Sequence, residues 1–126
     1  MKLLLAIAAG GALGALGRHF VAHYAGMALG HGFPWGTLVV NVIGSFAMGV
    51  LVEILALVWS PSQEVRALLT VGFLGAFTTF STFSLDVAVL HERGANWLAA
   101  VYIAASVIVC VVGLFAGLRL MRLVLA

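Results

Sequence analysis

The chain has 126 residues, of which 64% are hydrophobic and only 8% charged, with a mean hydropathy of +1.24. Six cationic and four acidic side chains cannot clothe a soluble domain of this size, so residues 1–126 read as one all-α integral membrane domain. The net charge of +2 comes from cations at the ends of apolar runs and gives nucleic acid no support as a partner, while the single cysteine, Cys110, excludes an intrachain disulfide and a thiolate metal cluster.

Four apolar spans occur in order, each near the length a helix needs to cross the hydrocarbon layer. The first runs from about Leu3 to Leu29, with Arg18, His19 and His23 in its second half. Its start, "MKLLLAIAAGGALGALG", also fits a signal peptide, but three further spans come after it. "GHGFPWG" (Gly30 to Gly36) is a loop, with Pro34 and glycines as breakers and Trp35 as an interfacial anchor. The second span covers roughly Thr37 to Val58, and "WSPSQE" ends it with Ser62 placed to cap the next helix. The third covers about Val65 to Leu90 and turns at "HERGAN". The fourth runs from Ala95 to Leu118 and closes with Arg119 and Arg122. An even number of spans puts both termini on one side.

Polar side chains within these spans need partners or a wet path. Thr37, Asn41 and Ser45 stand four residues apart on one face of the second span, as do Tyr102, Ser106 and Cys110 on the fourth. Interhelical hydrogen bonding accounts for many such hydroxyls, at ~0.6 kcal/mol each. It accounts less well for Asn41, whose amide brings two donors into an apolar helix. The segment "LGAFTTFSTFS" (Leu74 to Ser84) interleaves five hydroxyls with Phe77, Phe80 and Phe83. Its Ser and Thr side chains compete for backbone carbonyls and Gly72 and Gly75 precede it, so a break between Gly75 and Phe80 is expected. Such a break is tolerated only in protein or beside water, where freed carbonyls can coordinate a small cation. The alternative is a continuous helix packed through its phenylalanines. Gly10/Gly14 and Gly113/Gly117 are GxxxG pairs that permit close helix approach. Glu53 and Asp86 are the carboxylates within spans. His19, His23, His31 and His91 lie near span ends or in loops, where none can activate a deep serine, so no enzyme is expected.

"PWGTLVVNVIGS" from Pro34, "GFLGAFTTFSTFSLD" from Gly72 and "ERGAN" from Glu92 resemble the Fluc (CrcB-like) fluoride channels across essentially the whole chain. The resemblance implies a four-helix subunit with its third helix broken near mid-membrane. It also implies an antiparallel, dual-topology homodimer with two fluoride pathways around a central structural sodium ion. Asn41 matches the pore asparagine of that family, and Phe80 and Phe83 match its paired phenylalanines. Thr82, Tyr102 and Ser106 match polar positions along the path, Arg18 matches a basic vestibule residue, and Gly75 and Thr78 match the carbonyl donors to sodium. Asp86 departs from a glutamate expected in many relatives, and Cys110 from a hydroxyl in some. The activity this resemblance implies is passive fluoride export across a prokaryotic inner membrane. Lys2, Arg66, Arg119 and Arg122 on the terminal side, against Arg93 and Arg18 on the other, bias orientation too weakly to forbid the antiparallel pair. The competing expectation is a small dual-topology coupled exporter of cationic or drug-like molecules, which would place a carboxylate in the first span. That span has none.

Overall fold

The computed structural model describes residues 1–126 and is helical almost throughout. Four helical runs are long and apolar enough to cross a membrane: Lys2–Leu29, Trp35–Leu57, Gln63–Glu92 and Asn96–Leu125. The first two are the continuous helices α1 (Lys2–Leu29) and α2 (Trp35–Leu57). The third run is composite. It begins with α3 (Gln63–Ala67), widens into a π-helical stretch, Leu68–Leu74, and closes its first half with α4 (Gly75–Phe77). Thr78 and Thr79 are then extended, at φ −85°, ψ 156° and φ −151°, ψ 123°, and α5 (Phe80–Glu92) starts afresh. The last helix is α6 (Asn96–Leu125).

Local chemistry explains the ends. Gly30 follows α1 at φ 94°, a backbone shape that glycine adopts freely, and Gly94 plays the same part after α5 at φ 76°. Pro34 takes the position before α2, so that helix starts at Trp35, two residues earlier than the composition suggests. Ser62 accepts from the Val65 amide at 3.3 Å and caps α3, and Thr79 accepts from the Thr82 amide at 3.2 Å and caps α5. Helix α6 continues to Leu125, past Arg119 and Arg122, instead of closing at Leu118 as the charges imply. Arginine is a good helix former, and Arg122 has a partner. Its Nε and Nη2 donate to the Glu53 carboxylate at 2.9 and 3.3 Å, tying the ends of α6 and α2 together.

The break redirects the third run. Before it, α3, the π-helical stretch and α4 pack on α1; after it, α5 packs chiefly on α6, which lies along α2. The α5–α6 contact holds a small core of Phe83, Leu90, Ala99 and Tyr102, covered in part by Phe33 and Leu38. Elsewhere backbone meets backbone over glycine. A Cβ on Gly10 would strike the Leu68 carbonyl, one on Gly14 the Phe73 carbonyl, one on Gly49 the Leu114 carbonyl and one on Gly117 the Phe46 carbonyl. Gly113 is looser, with its nearest neighbour at 3.7 Å. Only the Gly10/Gly14 pair therefore has both members in tight contact. Gly72, which faces Gly10, completes that notch.

Gly14→Ala and Gly11→Ala are therefore expected to differ although they sit three residues apart on one helix. The first forces α1 off the π-helical stretch, whereas nothing lies within 4 Å of the added methyl in the second. Thermal unfolding in detergent should show a clear loss for Gly14→Ala and little change for Gly11→Ala.

Candidate functional site

Thr78 and Thr79 interrupt a helix, and an interruption inside an apolar bundle leaves backbone groups without partners. Asn41, on the facing side of α2, meets that need. Its Oδ1 accepts from the Thr79 amide at 2.8 Å, and its Nδ2 donates to the Thr79 carbonyl at 3.0 Å. The reciprocal pattern fixes the orientation of the amide, because a backbone N–H can only donate. In an unbroken helix the Thr79 amide would be directed at the Gly75 carbonyl. Here it is turned to Asn41 instead. Thr78 folds its hydroxyl back onto the Leu74 carbonyl at 3.0 Å, and the Thr78 carbonyl accepts no hydrogen bond from the chain. Gly44, one turn beyond Asn41 on α2, has no side chain to keep the Thr78 methyl away.

An open groove of about 390 Å³ runs beside this junction between α2, α5 and α6, lined by Asn41, Thr78, Phe80, Phe83, Ser106 and Cys110. Phe80 is 77% exposed and Phe83 only 8%, with ring centroids 5.3 Å apart and planes at 49°. One ring thus presents itself to the groove while the other anchors the wall. Ser106 contributes a buried hydroxyl oxygen with no hydrogen-bond partner in the chain. An orphan of that kind costs about 1–3 kcal/mol unless something outside the chain satisfies it. Ser45 lines the same groove, next to Asn41 along the α2 stripe.

A second hollow, of about 460 Å³, opens on the other side of Thr79, and Arg18, Thr37 and Thr82 line it together with His19 and His23. Thr79 borders both spaces. Of the residues singled out from the sequence, the fold therefore brings Asn41, Phe80, Phe83, Ser106 and Thr78 to one groove, and Arg18 and Thr82 to its neighbour. Tyr102 lines neither. It is fully buried, its hydroxyl donates to Asp86 at 2.9 Å, and Phe33 and Phe83 pack on its ring. Gly75 sits at the exposed start of α4, on the opposite side of the break from the Phe80 ring. Three participants are not marked as site residues by the sequence. Thr79 joins the two spaces, Gly44 makes room for Thr78, and Thr37 continues the α2 stripe into the second hollow. The isolated amide of Asn41 is the available signal for the first, since it has to find a partner somewhere.

The sequence model of the family described as CrcB-like protein, Camphor Resistance (CrcB), matches residues 5–118. The chain belongs to the CrcB-like family. It is 58% identical over 126 residues to a protein of Rhodospirillum centenum named fluoride-specific ion channel FluC, with both chains covered completely. A protein of the same name from Chelativorans sp. is 58% identical over 125 residues, covering 99% of this chain and all of the relative. A third, from Rhizobium etli, is 50% identical over 118 residues, or 94% of each chain. The name these CrcB-like relatives carry is that of an ion channel, not an enzyme, and the four apolar helices make the chain a multi-pass membrane protein.

The Asn41–Thr79 pair predicts a graded series. Asn41→Ala removes both bonds and is expected to lower stability by about 1–3 kcal/mol for each backbone group left unpaired. Asn41→Asp with its carboxyl protonated keeps an acceptor for the Thr79 amide and an O–H donor for the Thr79 carbonyl, so in acidic detergent its unfolding temperature should fall less. Equal losses in the two variants would show that the pair acts through shape alone.

Proposed function

We propose that this chain is a fluoride-selective passive channel that releases F⁻ from the cytoplasm and so relieves fluoride toxicity. It works in the inner membrane of a prokaryote as an antiparallel, dual-topology homodimer with two pathways per dimer. The observation that carries the proposal is the end-to-end 58% identity to a protein named for fluoride conduction, and the groove beside the helix break supplies a chemistry that suits it. Fluoride is small and strongly hydrated, so a pathway must replace its water with donors yet let it go. The Asn41 amide, with one N–H beyond the bond to Thr79, and the free Ser106 hydroxyl are neutral donors of that kind. A ring edge carries partial positive charge, so the exposed Phe80 can face an anion while narrowing the way. Arg18, in the neighbouring hollow, draws anions toward the junction without entering the groove.

A second copy is needed because one chain leaves polar side chains and backbone around the break uncovered. Ser81, Thr82, Ser84 and Gly75 are all exposed around the break, which stands midway along the 30-residue run Gln63–Glu92. Irregular backbone at mid-membrane is stable against protein or water, not against lipid. A two-fold axis in the membrane plane would bring the break of one subunit onto that of the other. The weak charge bias leaves both orientations open.

The same junction suits a structural sodium ion. The Gly75 carbonyl has lost the Thr79 amide as a donor, and the Thr78 carbonyl accepts none. Both are hard oxygen ligands of the sort that unwound membrane helices offer to Na⁺. Bound there, the ion would supply positive charge that holds two breaks together. The coupled-exporter alternative has no support in α1, which contains neither Asp nor Glu.

Transport downhill needs no coupling, since a negative interior drives each anion out by about 2.3 kcal/mol per 100 mV. Liposomes holding the purified chain and loaded with fluoride should therefore empty on an imposed potential with no proton gradient. Phe80→Ile should slow that efflux roughly tenfold, the factor that corresponds to about 1.4 kcal/mol of lost ring-edge attraction. Replacement of sodium by a bulky organic cation should slow it in the parent. Efflux no faster than from protein-free liposomes would refute the channel. Efflux indifferent to sodium would refute the ion site alone.

A further inference from the structure

All four histidines lie toward one end of the bundle: His19 and His23 on the C-terminal half of α1, His31 in the loop after it, and His91 near the end of α5. His91 is hydrogen-bonded to Asn96 at 2.7 Å. His19 and His23 are not engaged in this way. They stand four residues apart, one turn along α1, with ring centroids 6.4 Å apart and planes only 12° from parallel. Phe20 and Tyr24 lie edge-on to them at 5.5 and 5.4 Å. Both imidazoles line the hollow that also holds Arg18 and Thr82.

The geometry points to a binding site for a divalent transition-metal cation on His19 and His23, at the mouth of the hollow beside Arg18, where a bound ion slows anion passage. Two histidines at this spacing on one helix face are a chelating pair. Metal–nitrogen bonds of about 2.0–2.1 Å require the ring centroids to close to roughly 5 Å, which rotation about the side-chain bonds of two residues bordering an open hollow supplies. Imidazole selects borderline ions such as Zn²⁺, Ni²⁺ or Cu²⁺ over Mg²⁺ and Ca²⁺, which prefer oxygen. No third His, Cys, Asp or Glu joins the pair, so water or an anion fills the remaining positions. Its place is what connects the site to transport: a hydrated dication held by His19 and His23 narrows the hollow that an anion must pass to reach the junction. Arg18 is the charged side chain that shares the hollow, and its repulsion makes the site one of modest affinity. The binding does not depend on the proposed function. The effect on flux does.

Calorimetric titration of the purified full chain in detergent with NiCl₂, after removal of any polyhistidine tag, tests the binding. One saturable site per chain is expected, weakened at least roughly tenfold, the least that losing even a supporting partner of a ligand costs, by either His19→Gln or His23→Gln and unaffected by His31→Gln. Absence of binding, or binding indifferent to both substitutions, overturns the site. Fluoride efflux from liposomes, compared with each protein's own metal-free rate, should fall with Ni²⁺ in the parent and not in the two variants. A parent that binds Ni²⁺ but conducts equally with it overturns the block while its metal-free efflux upholds the channel. A parent without metal-free efflux refutes the channel while the titration still decides the metal site.

Discussion

Everything distinctive about this bundle depends on two hydrogen bonds between one side chain and one backbone unit. A membrane helix holds its shape because its backbone has no other solvent to turn to, so opening a turn is costly unless the freed groups are met at once. Asn41 meets both groups of Thr79. That single exchange lets the third run stop being one helix. Its first half then packs on α1 and its second on α6, and the Phe80 ring turns out into the groove. Were the run continuous, the two halves would lie in line and could not serve two neighbours.

The rest of the packing protects that junction. Glycine notches bring α1 against the π-helical stretch and α2 against α6, so close that carbonyl oxygens occupy the space of a side chain. Such contacts leave little freedom for either half of the third run to drift. Gly44 brings the Thr78 methyl against α2 next to Asn41. At the far end, the buried Glu53 carboxylate is held by Arg122, which is itself 64% exposed. Removing the arginine would leave a carboxylate in an apolar wall, so the pair locks the register of α2 and α6 more than it adds net stability.

The four spans are legible in the sequence because length and apolarity are properties of composition, and Pro34 and Gly94 mark ends through their backbone preferences and Ser62 through its capping hydroxyl. The α6 boundary is misleading because a charge suggests a stop, when Arg122 instead finds its partner 69 residues away on α2. The π-helical stretch leaves no trace in the residue pattern, since one extra residue per turn changes hydrogen bonding and not composition. The candidate site is legible in its residue types and only partly in its wiring. Asn41 stands out as an amide in need of partners, and the TTFSTFS stretch as a poor helix. That each resolves the other requires two elements to be brought together in space. Tyr102 shows the converse: the family resemblance places it along a path, whereas within one chain it is buried against Phe33 and Phe83 with Asp86 as its partner.

Amide hydrogen exchange at Thr79 reads out the Asn41 pairing itself, because that N–H lies outside any helical ladder and owes its protection to one side chain. In the parent, Thr79 should exchange as slowly as amides within α2 and α5, and in Asn41→Ala it should exchange far faster while α2 amides such as that of Val50 stay protected. Equal protection of Thr79 in both proteins would contradict the account, since the break would then be held by something other than Asn41.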